Sequence, residues 1–155
     1  MISFSKYTRL YLALFHLVLG VLLVSGAITK YYSLLIVLVG VISIYKSENK
    51  RNEAIFWSAY LVGGEVLFRM AGGMVFHELP KYSVLAFLFL GLFIESKKHH
   101  ISVSYLIYIL LLLIGIAFID IPFNESIRTA IAFNLSGPIL LGVASIYFYK
   151  RKITL

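Results

Sequence analysis

The stretch Ile101 to Ile119, ISVSYLIYILLLLIGIAFI, decides the fold: it carries no charge, Lys97-Lys98-His99-His100 stand before it, and Asp120 follows it. About twenty apolar residues of helix cross the hydrocarbon core of a bilayer, so this run has the length of one span. Five more apolar runs lie around it: Leu10 to Ile28, Tyr31 to Tyr45, Ala54 to Met74, Tyr82 to Ile94 and Thr129 to Tyr149. The second and fourth are short, but Lys30, Lys46 and Lys81 flank them with stems that can snorkel to the headgroups. Of the 155 residues, 61% are hydrophobic and 14% charged, against about half and a quarter in a soluble domain. Six short-looped spans leave no length for a sizeable aqueous domain. The expectation is an all-α polytopic transmembrane bundle of six spans, one domain over residues 1–155.

Charge placement gives an independent check on that count, because Lys and Arg accumulate in cytoplasmic loops. With the N-terminus inside, the inside segments hold Lys6, Arg9, Lys46, Lys50, Arg51, Lys97, Lys98, Lys150, Arg151 and Lys152. The outside segments hold Lys30, Lys81 and Arg128, and Arg69 remains within a span. Six spans with both termini cytoplasmic satisfy this alternation, and an odd number spoils it. The net charge of +7 is therefore a topology signal and the bilayer the expected partner; no basic face is left for nucleic acid. A cleavable leader over residues 1–27, cut near Ser25-Gly26-Ala27, competes, but its apolar core is long for one. No cysteine is present, which removes disulfides and thiolate metal sites.

Helices in lipid meet through small residues, since lipid tails compete for apolar contact. Ala13, Gly20 and Ala27 recur every seven residues with His16 on the same stripe, and Ser33, Gly40 and Ser43 line the second span. Both read as packing seams. His16 reads as a neutral imidazole bonded to a neighbouring helix, with a proton relay or ligand contact as the sharper alternative.

The third span carries the most informative pair. Glu65 and Arg69 stand four apart with the acid first, the favoured order for an ion pair on a helix. A charge near the bilayer centre costs about 2.5 to 3.5 kcal/mol on insertion scales, which makes a functional site the first hypothesis and a buried structural pair the second. The stripe Ser58, Val62, Glu65, Arg69, Gly72 is expected to face protein or water, with Phe68 largely elsewhere. A Gly pair at Gly72-Gly73 ends this helix and Pro80 opens the next, giving an external hairpin in which His77 and Glu78 are expected to meet water.

In the last span, Asn134-Leu135-Ser136-Gly137-Pro138 predicts a kink or break, because Pro138 frees the carbonyl of Asn134. Such breaks face protein or a wet cavity, where backbone can meet a ligand. Arg69, Glu65, Asn134 and Ser136 are thus the candidate ligand-binding residues. The triplets at Asn124 and Asn134 are discounted as glycosylation sites, and Lys97-Lys98-His99-His100 reads as a positive-inside signal, not a metal cluster. No catalytic motif, metal site or cofactor is indicated.

Two stretches carry a family resemblance: NEAIFWSAYLVGGEVLFRMAGGMVFHELPKY over Asn52–Tyr82 and IRTAIAFNLSGPILLGVASIYFYKRK over Ile127–Lys152. Both resemble the N-terminal membrane part of O-antigen ligase and polymerase-like proteins of the Bacteroidetes type. The resemblance implies a bacterial inner-membrane protein of surface polysaccharide assembly that handles an undecaprenyl-diphosphate-linked glycan, and it adds weight to Glu65, Arg69 and Asn134. Family members have ten or more spans and a large periplasmic loop with the catalytic Arg and His. The chain is accordingly expected to be the N-terminal part of a longer protein, inactive alone, with helix partners in the missing part. The alternative is a non-enzymatic six-span membrane subunit that binds a solute or serves as a scaffold.

Overall fold

The computed structural model describes residues 6–73, 75–95, 102–118 and 126–149, and within them the chain is all-helical. The helices are α1 (Lys6–Leu22), α2 (Gly26–Ser47), α3 (Glu53–Met70), α4 (Leu79–Ile94), α5 (Val103–Gly115) and α6 (Ile127–Phe148). A single 3₁₀ turn, Ile116–Phe118, extends α5. Of these, α2 and α6 are long and apolar enough to cross a bilayer, and α1, α4 and α5 are apolar but shorter.

The helices pack in a chain of neighbours: α3 lies against α2 and α4, α4 also against α2 and α6, and α5 against α6. Their core gathers Ile36, Ile44, Leu61, Phe68, Phe87 and Tyr147. The second-span seam forms in part: Ser33 and Gly40 are buried, while Ser43 is half-buried. A Cβ on Gly40 would come within 2.6 Å of the Phe87 ring and 3.3 Å of Trp57 Cβ, so glycine there sets how closely α2, α3 and α4 approach. The first-span seam does not form: Gly20 has no neighbour within 4 Å of a would-be Cβ, and Ala27 belongs to α2.

The reason is a turn at Leu23–Ser25, where one continuous span to Ile28 was expected. The Thr29 hydroxyl donates to the carbonyls of Leu23 and Ser25 and closes the turn from the α2 side. Gly26 presses on the Ala71 carbonyl, where a Cβ would stand 2.5 Å away, and Ser33 Oγ donates to the Gly73 carbonyl at 3.4 Å. The α1–α2 turn and the α3–α4 connection therefore lock together. Only Ser25 and Gly26 interrupt the apolar run from Leu23 to Ile28, too brief a break for hydropathy to mark the boundary.

As expected, α3 ends at the glycine pair. Gly72 takes φ +63°, its amide donates to the Arg69 carbonyl and the Gly73 amide to that of Phe68, the hydrogen-bond signature of a left-handed helix stop. Its buried face is Ala54, Ser58, Leu61 and Phe68. This corrects the expected stripe: Phe68 points inward, while Val62 is half exposed. Nor is α6 broken; Pro138 sits inside one helix that runs from Ile127 to Phe148, with Ser126 Oγ accepting from the Thr129 amide at its start.

At the opposite end of the bundle, the α2–α3 connection turns on Glu48, Asn49 and Asn52, all with positive φ. Asn49 is 1% exposed. Its Nδ2 donates to Tyr147 Oη at 2.8 Å and to the Gly91 carbonyl at 3.4 Å, and its Oδ1 accepts from the Ala54 amide at 3.0 Å. One side chain thus caps α3 and ties the connection to α4 and α6.

Outside this core the surface is apolar. Leu17 is 65% exposed, Leu111 62% and Phe118 82%, and no residue of α5 is buried. Soluble monomers rarely expose contiguous apolar areas of this extent.

Candidate functional site

The α3–α4 connection gathers the charged groups of one end. Arg69, in the last turn of α3, donates from Nε (2.9 Å) and Nη2 (2.6 Å) to a single oxygen, Oε1 of Glu65. The Glu65 and Arg69 side chains are 24% and 30% exposed, so the pair lies on the flank of α3, neither buried nor free in solvent. Arg69 then reaches forward: Nη1 donates to His77 Nε2 at 2.6 Å, and Nη2 to the His77 carbonyl at 3.4 Å. Because a guanidinium only donates, Nε2 must accept, which places the imidazole hydrogen on Nδ1. Arg69 is thereby a strap from the helix to the connection that follows it.

The next residue begins a second cluster. Glu78 accepts a salt bridge from Lys81 at 2.8 Å, three residues on across the first turn of α4. That hydrogen bond holds the Glu78 carboxyl below its ordinary range, with smaller help from the charges of Lys81 and Arg69. Ser136, from α6, completes the group, donating to Glu78 Oε2 at 3.5 Å and accepting from Lys81 Nζ at 3.4 Å.

Beside these pairs lies a cleft of about 400 Å³, lined by His77, Glu78 and Tyr82 on one side and by Ser126, Arg128 and Thr129 of α6 on the other. Arg128 is exposed and has no carboxylate at ion-pair distance among the described residues. Among the described residues Glu65 balances Arg69 and Glu78 balances Lys81, so Arg128 adds a positive charge to the cleft wall. The first turn of α6 adds its own positive end to the same wall. The arrangement can hold an anion: it offers a guanidinium, hydroxyls on Ser126, Thr129 and Tyr82, and a positive helix terminus.

Of the residues singled out from sequence, Glu65 and Arg69 are paired as expected, and Ser136 joins the Glu78–Lys81 bridge. Asn134 is exposed on α6, two residues and more than half a turn from Ser136, and is not brought into the group. His77 and Glu78 correct the expectation of simple hydration, since each is tied to a cation. The Glu78–Lys81 spacing was the available signal. Arg128 had none, because its place beside His77 depends on how α4 and α6 pack. His16 also departs from expectation: Nδ1 lies 2.8 Å from the Leu12 carbonyl of its own helix, not of a neighbour. Lys97-Lys98-His99-His100 and Asn124 lie outside the described residues. No protein-family model, curated protein or solved structure matches the chain.

Proposed function

We propose that the chain is a multi-pass protein of a bacterial cytoplasmic membrane, with six spans and cytoplasmic termini, and that the Arg128–His77 cleft holds the anionic head of a membrane lipid. The continuous apolar surface of α1, α2 and α5 supports the membrane reading, because a bilayer is the solvent in which such faces cost nothing. The lengths of α4 and α5, 16 and 13 residues, are accommodated by local thinning and by Lys81 at the α4 boundary.

The observation that carries the ligand reading is the Arg128 guanidinium on the cleft wall, with no carboxylate at ion-pair distance among the described residues, beside a His77 fixed by Arg69. A phosphate or diphosphate suits it, since guanidinium and helix N-terminus both favour such oxygens. Taken with the resemblance of Asn52–Tyr82 and Ile127–Lys152 to O-antigen ligase and polymerase-like proteins, the lipid is an undecaprenyl-diphosphate-linked saccharide. The chain then contributes carrier binding to glycan transfer, with the reacting groups supplied elsewhere.

The test is binding of undecaprenyl diphosphate to the full chain in phosphatidylcholine nanodiscs. Arg128→Gln is expected to weaken binding about tenfold and Arg69→Gln about threefold to tenfold, while the secondary structure of both is kept. Equal binding by all three proteins would overturn the anion reading and favour the non-enzymatic subunit, in which the polar pairs only hold helices together.

A further inference from the structure

A second cavity, remote in chemistry from the charged cleft, opens between α1, α2 and α3. It is a half-open space of about 430 Å³, within the range of small-ligand sites, and its walls include His16, Gly20, Tyr32, Tyr60, Gly63 and Gly64. Gly20 and Gly63 keep it open, since a would-be Cβ on either meets nothing within 4 Å. No Asp, Glu, Lys or Arg lines it.

Its polar groups are three and unequally satisfied. Tyr32 Oη and Tyr60 Oη are 2.6 Å apart. One hydroxyl hydrogen makes that bond, so the other has no acceptor among the described residues. His16 gives its Nδ1 hydrogen to the Leu12 carbonyl, which leaves Nε2 as an acceptor with no donor among the described residues. The His16 and Tyr60 rings stand edge to face at 5.9 Å, so donor and acceptor border the same space without bonding each other. The spare tyrosine hydrogen and the Nε2 of the exposed His16 are thereby open to bonding a ligand.

We infer that this cavity binds an uncharged lipid with a hydroxyl head, whose O–H donates to His16 Nε2 and whose oxygen accepts from the tyrosine pair. A charged head is disfavoured because nothing in the wall offsets its desolvation. The apolar tail leaves between α1 and α3, where Leu19, Leu67 and Phe68 continue the lining. The inference rests on the membrane reading but not on the charged cleft.

The protein's single tryptophan supplies the readout, since Trp57 and Tyr60 rings are 6.2 Å apart and Trp57 shares a neighbouring pocket with His16 and Tyr32. In phosphatidylcholine vesicles holding the full chain, brominated phosphatidylcholine reports whether the helices lie in the bilayer. Brominated diacylglycerol at the same mole fraction is expected to quench Trp57 more strongly and to be displaced by dioleoylglycerol or by geranylgeraniol. Displacement by only one of the two identifies an acylglycerol or an isoprenoid alcohol as the source of the hydroxyl.

Tyr60→Phe should weaken the preference about threefold to tenfold, and Gly63→Leu, which adds a side chain where a Cβ meets only open space, should abolish it. Quenching by brominated phosphatidylcholine with no excess for diacylglycerol would overturn the site alone. Absence of both would overturn the membrane reading and the site with it. A preference unchanged in Gly63→Leu would likewise show that the lipid sits elsewhere.

Discussion

Replacing Asn49 by Leu is expected to cost about 2 to 4 kcal/mol of stability, a large effect for one residue in a connecting turn. The change strands the Ala54 amide at the start of α3 and removes a donor from Tyr147 Oη and the Gly91 carbonyl. It also puts a γ-branched side chain at φ 52°, where asparagine and glycine are tolerated far better. Asn49→Gly and Asn49→Ala separate the two causes. Both delete the hydrogen bonds, but only alanine resists the left-handed conformation, so glycine should melt above alanine and both well below the unaltered chain. Thermal unfolding in detergent, followed by helical circular dichroism, measures this; an Asn49→Leu protein melting with the unaltered chain would contradict the buried hub.

The second large effect belongs to Glu65 and Arg69. A fully buried pair loses about 3 to 5 kcal/mol when one partner is removed. Here both side chains keep about a quarter of their exposure, so Arg69→Leu or Glu65→Leu should each cost about 1 to 2 kcal/mol. The two are not equivalent, because Arg69 also holds His77 while Glu65 does not. The double replacement Glu65→Leu with Arg69→Leu should therefore recover the stability lost in Arg69→Leu yet leave the α3–α4 connection unstrapped. That state is read as faster proteolytic nicking around His77. A double variant as resistant to nicking as the unaltered chain would show that Arg69 serves Glu65 alone.

These two sites mark what the sequence could and could not say. The Glu65–Arg69 pair was legible because it is local: four residues on one helix suffice, and hydropathy raises the significance of any charge there. The helix stop at Gly72 was legible for the same reason, as a backbone position that calls for positive φ. Asn49 was not, because it lies in a run of polar residues, Lys46 to Glu53, that reads as a solvated turn. Only the packing of α4 and α6 over that turn buries it. Arg128 and His77 share a cleft through the same long-range packing, which no spacing encodes. The turn at Leu23–Ser25 failed differently. Its determinants, the Thr29 hydroxyl and the bare α-carbon of Gly26, were in plain view, but apolar residues on both sides concealed them, and a stripe drawn at seven-residue spacing ran straight through two helices.

At Pro138, midway along α6, the expected break is absent. Proline removes one hydrogen bond and crowds the preceding turn, but a long helix flanked by intact turns can carry that loss. With α6 unbroken at Pro138, the weight that Asn134 drew from an exposed backbone falls away, and Ser136 retains a role through its hydroxyl and the Glu78–Lys81 bridge.

Everything proposed for the charged cleft depends on its facing away from the cytoplasm at the membrane surface. The chain holds no cysteine, so single cysteines report position without background. Val75→Cys, exposed in the α3–α4 connection, and Ser47→Cys, at the end of α2, lie at opposite ends of the bundle. In intact cells an impermeant maleimide is expected to label Val75→Cys and to leave Ser47→Cys unmodified until the membrane is permeabilised. Labelling of Ser47→Cys in intact cells, with Val75→Cys protected until permeabilisation, would contradict the topology and the outward-facing anion site built on it.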